Sequence, residues 1–201
     1  MGCDSAISRL SNCRHLESLT LDSLDSSPKV SRVLAALAAP GLHTLELSRC
    51  SLAVADMKFL AESCPAITAI KLNSCKFASP HAGVRCSFTA LQCLTMTGYC
   101  FFYEDNVMAL FGNSCDLSRL TVGPNNIKKA EWVRLLPEMS ELRSLSLSRC
   151  SSVDDEVLET MAESCVKLEN VLFRQMPHLT VTGVHGLAVS CPRLKNIDLL
   201  I

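Results

Sequence analysis

The sequence predicts an α/β solenoid of about eight coils, a curved right-handed horseshoe with a parallel sheet on its concave side and helices on its convex side. The first observation is an apolar motif with the spacing LxxLxL, which recurs every 24 to 26 residues along the 201-residue chain. Such a period is typical of coils that each contribute one strand. The first residues of the motif are Leu16, Leu42, Ile67, Leu91, Leu117, Leu142, Leu168 and Leu194.

The second observation is that helically spaced apolar residues lie between the strand motifs. Trp132, Leu135, Leu136 and Met139 follow this spacing, and similar sets surround Met57 and Leu158. The spacing places one apolar stripe on the side of a helix that faces the strand layer. Because no coil buries its own apolar face, neighbouring coils must stack. We therefore expect residues 1–201 to form a single repeat domain without terminal caps.

The cysteines extend the repeat. Leu42 and Leu142 are each followed eight residues later by a Cys, at Cys50 and Cys150, and Ala61–Pro65 closes a helix before the next strand. In these features the chain resembles the cysteine-containing leucine-rich repeat of the ribonuclease-inhibitor-like superfamily, best known from F-box/LRR ubiquitin-ligase receptors. The resemblance covers residues 6–201, and the sequence shows no F-box ahead of the repeats. It implies a protein-binding module, such as the substrate-recognition repeats of a ligase receptor.

Nine of the twelve cysteines fall at or within one residue of repeat positions. There a Cys serves as a small buried hydrophobe. The sequence has neither a signal peptide nor an Asn-x-Ser/Thr acceptor, which favours an intracellular compartment, cytoplasmic or nuclear, and reduced thiols. Cys3, Cys86 and Cys93 lie outside the repeat positions and are the expected reactive thiols. No CxxC pair is present, so we expect no metal site.

Charge and motifs argue against several function classes. The chain has 19 basic and 20 acidic residues, a net charge of −1, so we expect no nucleic-acid or membrane partner. The sequence lacks GxSxG, HExxH, GxGxxG and GxxxxGK[ST] motifs. We therefore expect no catalytic residue and no cofactor. An enzyme remains the third alternative, which would require a pocket of converging titratable groups.

The expected binding surface is the concave face of the sheet. Residues two, four and six places after the first apolar residue of each motif point to this face, and most are small and hydroxylated. Ser and Thr also suit exposed strand positions without any functional role. We expect the charged residues to supply specificity contacts: Glu46, Lys71, Arg119 and Arg174, with Arg49 and Arg149 just past their strands.

Phe101 and Phe102 belong to a cluster of four aromatic residues after the fourth strand. Aligning Cys100 with Cys150 matches both Phe residues with serines and places Tyr103 in a core position. This alignment predicts two adjacent exposed rings, which indicate a partner contact. The alternative is that the rings fill a gap left by the short preceding coil.

The candidate functions differ in what covers the ends of the solenoid. The last strand runs into Leu199–Ile201, an apolar and unpaired edge. Either the chain is a segment of a longer product, or partners in a larger complex cover both ends. Besides the ligase-receptor function, we therefore consider a structural subunit or assembly factor.

Overall fold

The repeating strands assemble into one parallel sheet. The computed structural model describes residues 13, 15–23, 33, 39, 41–77, 86–102, 106–111, 114 and 116–200. Within these residues the elements are, in chain order, β1 (Ser18–Asp22), β2 (Thr44–Ser48), β3 (Ser51–Leu52), α1 (Val54–Ser63), β4 (Ala69–Asn73), β5 (Lys76–Phe77), β6 (Cys93–Thr97), α2 (Asn106–Phe111), β7 (Arg119–Val122), α3 (Lys129–Leu135), a 3-10 turn (Leu136–Glu138), β8 (Ser144–Ser148), α4 (Asp155–Ser164), β9 (Asn170–Arg174), α5 (Val181–Ser190) and β10 (Asn196–Leu200). The strand order in the main sheet is β1-β2-β4-β6-β7-β8-β9-β10, and β3 pairs with β5 separately. The predicted α/β solenoid is confirmed.

Every strand of the main sheet pairs in the same phase. Leu145 lies opposite Leu120 on one side and Val171 on the other. Leu145 and Leu147 are 1% and 0% exposed, whereas Ser146 between them is half-buried. The leucines therefore form one continuous layer beneath the sheet, and the alternate residues face outward, as the motif predicts.

The helices bury the predicted stripes against that layer. Trp132, Leu135, Leu136 and Met139 are all buried. The regular helix α3 ends at Leu135 and continues as the 3-10 turn that contains Pro137, since proline lacks the N–H that an α-helix needs. None of the described helices combines the length and the hydrophobicity needed to cross a bilayer.

Side-chain caps fix where two of the helices begin. The Asp154 carboxylate accepts a hydrogen bond from the Val157 N–H at 3.2 Å, ahead of α4. The Thr180 hydroxyl accepts one from the Gly183 N–H, also at 3.2 Å, ahead of α5. Both caps satisfy a backbone donor that the first turn leaves without an intrahelical partner. They fix the direction in which each helix returns across the sheet.

Cysteine thiols hold the chain where it leaves the sheet. The Cys75 Sγ donates to the Leu47 carbonyl at 3.2 Å, and the Cys150 Sγ donates to the Val122 carbonyl at 3.7 Å. In the fifth coil Asn125 replaces the cysteine, and its Nδ2 donates to the Gly123 carbonyl at 2.8 Å. At this repeat position a small side chain thus donates to a backbone carbonyl, which belongs to the preceding coil for the two thiols and to the same coil for Asn125.

Residues in the left-handed region turn the chain just before these thiols. Arg49 and Arg149 have φ of 52° and 54°, and Ser23, Ser74, Gln175 and Gly98 share this conformation. Their N–H groups extend the ladder: the Arg149 N–H donates to the Arg174 carbonyl at 3.0 Å. A left-handed non-glycine residue is strained. Here the hydrogen bonds of the neighbouring coil hold that conformation in place.

Burial keeps most described thiols protonated. None of the ten described cysteines forms a disulfide bond. Burial raises the pKa of Cys75, Cys86 and Cys165 to about 12 and that of Cys150 to about 11. The expectation that Cys86 is reactive is contradicted, because this residue is 1% exposed and its thiol donates to the Val54 carbonyl at 3.6 Å. Cys93 is half-buried on the outer face of the sheet, and Cys3 lies outside the described residues.

The strand phase can be tested by truncating one inward and one outward side chain. Leu145→Ala removes buried atoms from a central coil, so we expect unfolding free energy to fall by about 2–5 kcal/mol. Ser146→Ala lies on the outer face and should cost less than about 0.5 kcal/mol. Urea denaturation followed by circular dichroism measures both. Equal losses would show that the inward and outward positions are assigned incorrectly.

Thiol labelling tests the cysteine environments. In the native protein a maleimide should modify the exposed Cys13 and the half-buried Cys93 well before Cys86, because labelling requires an accessible thiolate. Cys86 should react only when the protein is unfolded in urea. Peptide mass mapping after timed labelling gives the rate at each site. Comparable rates for Cys86 and Cys93 would contradict the burial of Cys86.

Candidate functional site

The outer face of the main sheet carries most of the predicted binding residues. We call the outward-pointing side chains of β1, β2, β4 and β6–β10 the open sheet face. Glu46, Lys71, Arg119 and Arg174 lie on this face within strands, as predicted. Arg49 and Arg149 come directly after their strands and are exposed at the carboxyl edge of the sheet. The structure thus places six of the eight predicted residues on one surface, in two groups with different surroundings.

The charges of the first group satisfy each other. Glu46 lies opposite Lys71 in the register, and the Lys71 Nζ approaches the Glu46 Oε2 at 3.6 Å. The Arg49 guanidinium donates to the Asp22 carboxylate at 2.6 Å and to the Ser23 hydroxyl at 2.9 Å. Exposed pairs of this kind contribute about 0–1 kcal/mol each to stability. Their main effect is to leave little unbalanced charge on the open sheet face over β1–β4.

The second group has no such balance. Arg119, Arg149 and Arg174 are exposed, and none of them forms an ion pair with another residue that the structure describes. The Arg149 Nε donates to the Gln175 Oε1 at 2.6 Å, a neutral acceptor. The nearest strand beyond β9 carries Asp198, which lies opposite Leu172 rather than Arg174. The face over β7–β9 is therefore basic.

A notch interrupts the open sheet face next to this basic group. Its volume is about 290 Å³, and we call it the hydroxyl notch because Thr97, Thr121, Ser146 and Ser148 line it, together with Leu172 and Arg174. The floor is the backbone around Gly123, at a position where neighbouring coils carry a side chain. By sequence alone, these hydroxyl residues occupy ordinary exposed strand positions. The signal for the notch was the single glycine among them.

Phe102 does not lie on the surface, so the prediction of two adjacent exposed rings is wrong. Phe102 is 3% exposed, and its ring stacks on Phe77 with centroids 5.0 Å apart. Its backbone is held by the side chain of Asn126, which donates to the Phe102 carbonyl at 2.6 Å and accepts from its N–H at 2.7 Å. The alternative, in which the ring fills the core, is correct for Phe102.

The prediction for Phe102 is wrong because the sixth coil has a longer loop after its cysteine than the fourth coil has. In the sixth coil two turn residues follow Cys150, and the buried residue is Val153, three places after the cysteine. In the earlier coils the buried residue comes two places after, as in Leu52 after Cys50 and Phe77 after Cys75. Comparison with these nearer coils would have placed Phe102 in the core. Tyr103, assigned to the core by the same alignment, lies outside the described residues.

Phe101 keeps a place on the surface. It is 37% exposed, and its carbonyl accepts a hydrogen bond from the Phe77 N–H at 2.9 Å. Its N–H donates to the Cys75 carbonyl, also at 2.9 Å, so the residue is anchored through its backbone. Phe101 lies on the rim beside the small β3–β5 sheet, away from the basic group. Its contact with a partner remains a prediction.

The two phenylalanines should respond differently to truncation. Phe102→Ala removes a stacked, buried ring, so we expect a loss of about 3–5 kcal/mol in the free energy of unfolding. Phe101→Ala exposes less apolar area, and we expect a loss of about 1–2 kcal/mol. Chemical denaturation of the two variants beside the wild type provides the comparison. A Phe102 variant as stable as the wild type would place that ring outside the core.

A second, apolar cavity lies between β9, α5 and β10. Its volume is about 440 Å³, and Phe173, Met176, Val184 and Leu199 contribute to its lining. Leu199 and Leu200 are 48% and 46% exposed. Leu199 continues the core layer into the eighth coil, opposite the buried Phe173, whereas Leu200 lies opposite Arg174 on the open sheet face. The chemistry of the cavity is that of a surface for apolar contacts.

Neither the hydroxyl notch nor the apolar cavity brings several titratable groups together. Within the described ranges, no group of three or more His, Cys, Asp or Glu side chains is arranged to hold a metal ion. Both cavities have linings that contain no carboxylate, imidazole or thiol. The hydroxyl notch offers hydrogen-bond donors and one guanidinium, which is a set suited to recognition.

The parallel strands pair in one phase above a layer of buried leucines, and cysteine thiols recur where the chain leaves the sheet. Together these features define the fold of a leucine-rich-repeat protein. No family model matches the sequence. F-box/LRR-repeat protein 4 from Bos taurus is 27% identical over 145 residues, which are 71% of this chain and 19% of that protein. The chain thus spans about a fifth of the length of this curated relative.

Solved structures share the fold at low sequence identity. TLR13, in its complex with ssRNA13, superposes with a TM-score of 0.63 at 14% identity, over 100% of this chain and 30% of its own. A Bacteroides fragilis protein gives a TM-score of 0.53 at 14% identity, over 98% and 60%. An internalin (inlF) from Listeria monocytogenes gives 0.50 at 18% identity, over 96% and 63%. These similarities establish the leucine-rich-repeat fold.

Proposed function

We propose that the chain is a non-catalytic protein-binding module that contacts its partner through the basic part of the open sheet face. The observation that carries this proposal is the contrast along that face. Acidic and basic side chains pair over β1–β4, whereas Arg119, Arg149 and Arg174 have no ion-pair partner among the described residues. Unbalanced charge beside a notch of hydroxyl groups suits the recognition of a complementary partner.

The fold makes this surface well suited to binding. Parallel strands hold successive side chains at spacings of about 3.3 Å along a strand and about 4.8 Å between strands. The leucine layer and the hydrogen-bond ladder fix the backbone before any partner arrives. Less conformational entropy is then lost on association than with a flexible surface. Short Ser and Thr side chains also leave the arginines accessible.

The more specific proposal is that these are the substrate-recognition repeats of an F-box/LRR-type ubiquitin-ligase receptor, acting in the cytoplasm or the nucleus. It is supported by the 27% identity to F-box/LRR-repeat protein 4 and by the repeated Cys position. The partner would be a protein rather than nucleic acid or a membrane, since the chain has a net charge of −1. Co-purification of an SCF adaptor with the full gene product would support this function.

A structural subunit or assembly factor of a larger complex is the second candidate. The observation that favours it is the apolar cavity between β9, α5 and β10, with two half-exposed leucines at its edge. In that case a partner protein would bind by burying Leu199 and Leu200. The arginines of the open sheet face would then have little effect on association.

Quantitative affinity capture from native cells separates the two candidates. The double variant Arg119→Gln, Arg174→Gln should lower the affinity for the partner identified with wild type by about 5- to 30-fold, if the lost contacts are worth about 1–2 kcal/mol. The matched control Lys58→Gln, Arg193→Gln removes the same charge on other surfaces and should bind as wild type does. Titration of the purified partner measures the affinities.

The opposite pattern would favour the structural role. If Leu199→Asp abolishes capture while the double arginine variant binds normally, the apolar cavity is the binding surface and the first proposal fails. Circular dichroism of each variant establishes that it is folded before its affinity is compared.

A further inference from the structure

We propose that the hydroxyl notch binds the carboxylate of an Asp or Glu side chain from the partner, with Arg174 as the charged ligand. This inference rests on the proposed function, since it assumes that a protein contacts the open sheet face. It adds a chemical class of ligand: an extended acidic segment that inserts one carboxylate between β6 and β9.

The register creates the notch by leaving out one side chain. The Gly123 N–H donates to the Met96 carbonyl at 2.6 Å, so Gly123 lies beside Thr97 at the carboxyl edge of the sheet. On the other side, Ser148 lies opposite Arg174. Gly123 therefore separates Thr97 from Ser148 by two strand spacings, about 10 Å, without a side chain of its own. That gap accommodates a carboxylate and the end of its side chain.

The neighbouring backbone explains why residue 123 is a glycine. A Cβ atom at position 123 would lie 3.3 Å from the Met96 carbonyl oxygen and 3.4 Å from the Gly98 carbonyl oxygen. These contacts are close for carbon, so glycine allows the chain to approach this near.

The lining offers hydrogen-bond donors that nothing nearby uses. The hydroxyls of Thr97, Thr121, Ser146 and Ser148 make no side-chain hydrogen bond within the described part of the chain, and Arg174 makes neither a hydrogen bond nor an ion pair there through its guanidinium. A carboxylate accepts several hydrogen bonds and donates none. It also matches the planar fork of a guanidinium. The ligand that complements this set is an anion.

The charge of the notch favours a carboxylate over a phosphate. Among the residues that the structure describes in its lining, Arg174 is the one that carries a charge. The neighbouring Arg149 donates through Nε to Gln175. One guanidinium balances a carboxylate of charge −1, whereas a phosphorylated side chain carries about −1.5 to −2 and would remain partly unbalanced. A polyanion such as RNA would need a longer basic surface than one short group of arginines on a chain of net charge −1.

Nuclear magnetic resonance titration of the full chain tests the inference without the native partner. The probes are three heptapeptides of glycine and serine whose central residue is glutamate, phosphoserine or glutamine, and a single-stranded oligouridylate. The glutamate peptide should shift the backbone amide signals of Gly98 and Gly123, which border the notch. The glutamine peptide, identical in size but uncharged, should produce no saturable shift.

Two variants assign the contact to named groups. Arg174→Gln should weaken binding of the glutamate peptide about tenfold, since it removes a charge-assisted hydrogen bond. Thr121→Val keeps the shape of the side chain, removes one hydroxyl and should weaken binding about fivefold. The control Arg193→Gln removes the same charge from the amino edge of the sheet and should leave the affinity unchanged. Unshifted signals elsewhere in the spectra show that each variant is folded.

Several results would overturn the inference. Equal binding of the glutamine peptide, or an unchanged affinity in Arg174→Gln, would exclude a carboxylate site. Binding of the phosphoserine peptide more than tenfold tighter than the glutamate peptide would replace the carboxylate with a phosphate. Stronger, Arg174-dependent binding of oligouridylate would identify a nucleic-acid surface.

The titration tests the carboxylate site and the capture experiment tests the proposed function, so one proposal can be refuted while the other stands. If no peptide binds while partner capture still requires the arginine face, the protein-binding function stands and the notch is not its carboxylate site. If the glutamate peptide binds as expected while capture ignores the arginine face, the notch is a carboxylate site and the proposed function fails.

Discussion

Each coil of this protein buries its leucines only because another coil lies beside it. Leu45 is fully buried between neighbours at Leu19 and Ile70, and the same arrangement repeats across the sheet. A single strand and helix cannot cover both sides of their own apolar layer. The identical register from coil to coil follows from this requirement, since a shift of one residue would turn every leucine outward. The open sheet face is the other consequence of that register.

The hydrogen bonds at the carboxyl edge determine what this face can present. Left-handed residues such as Arg49 and Arg149 turn the chain out of the sheet, and the thiols of Cys50 and Cys150 donate to carbonyls of the preceding coil. The backbone at this edge is therefore held in place, while the ends of its side chains are accessible to solvent. In the fifth coil Asn125 takes over the role of the thiol, and the preceding glycine leaves the notch. The replacement of cysteine by Asn125 and the glycine of the hydroxyl notch thus occur in the same coil.

Burial was predictable from the sequence wherever it depends on period alone. Leu145 and Trp132 are buried as expected because each repeats a pattern that local geometry enforces. Phe102 was misplaced because the sixth coil has one extra turn residue, and the length of a loop is not periodic. The pairing of Glu46 with Lys71 follows from a constant register, so it could be predicted from the sequence. Gly123 indicates a missing side chain at the notch, but the charge of the notch could not be predicted, since it depends on which arginines meet an acidic neighbour.

The hydrogen bonds between coils also bear on how the chain folds. The partners in these bonds are about one repeat apart, 26 residues in the pair of Asn196 and Asn170 and 25 in the contact of Thr68 with His43. Closing a loop of this length costs an entropy that grows only slowly with length, so each additional coil meets nearly the same barrier. Folding that begins in one coil can spread to the next at a constant entropic cost. A chain built in this way can gain or lose whole coils without encountering a harder folding problem.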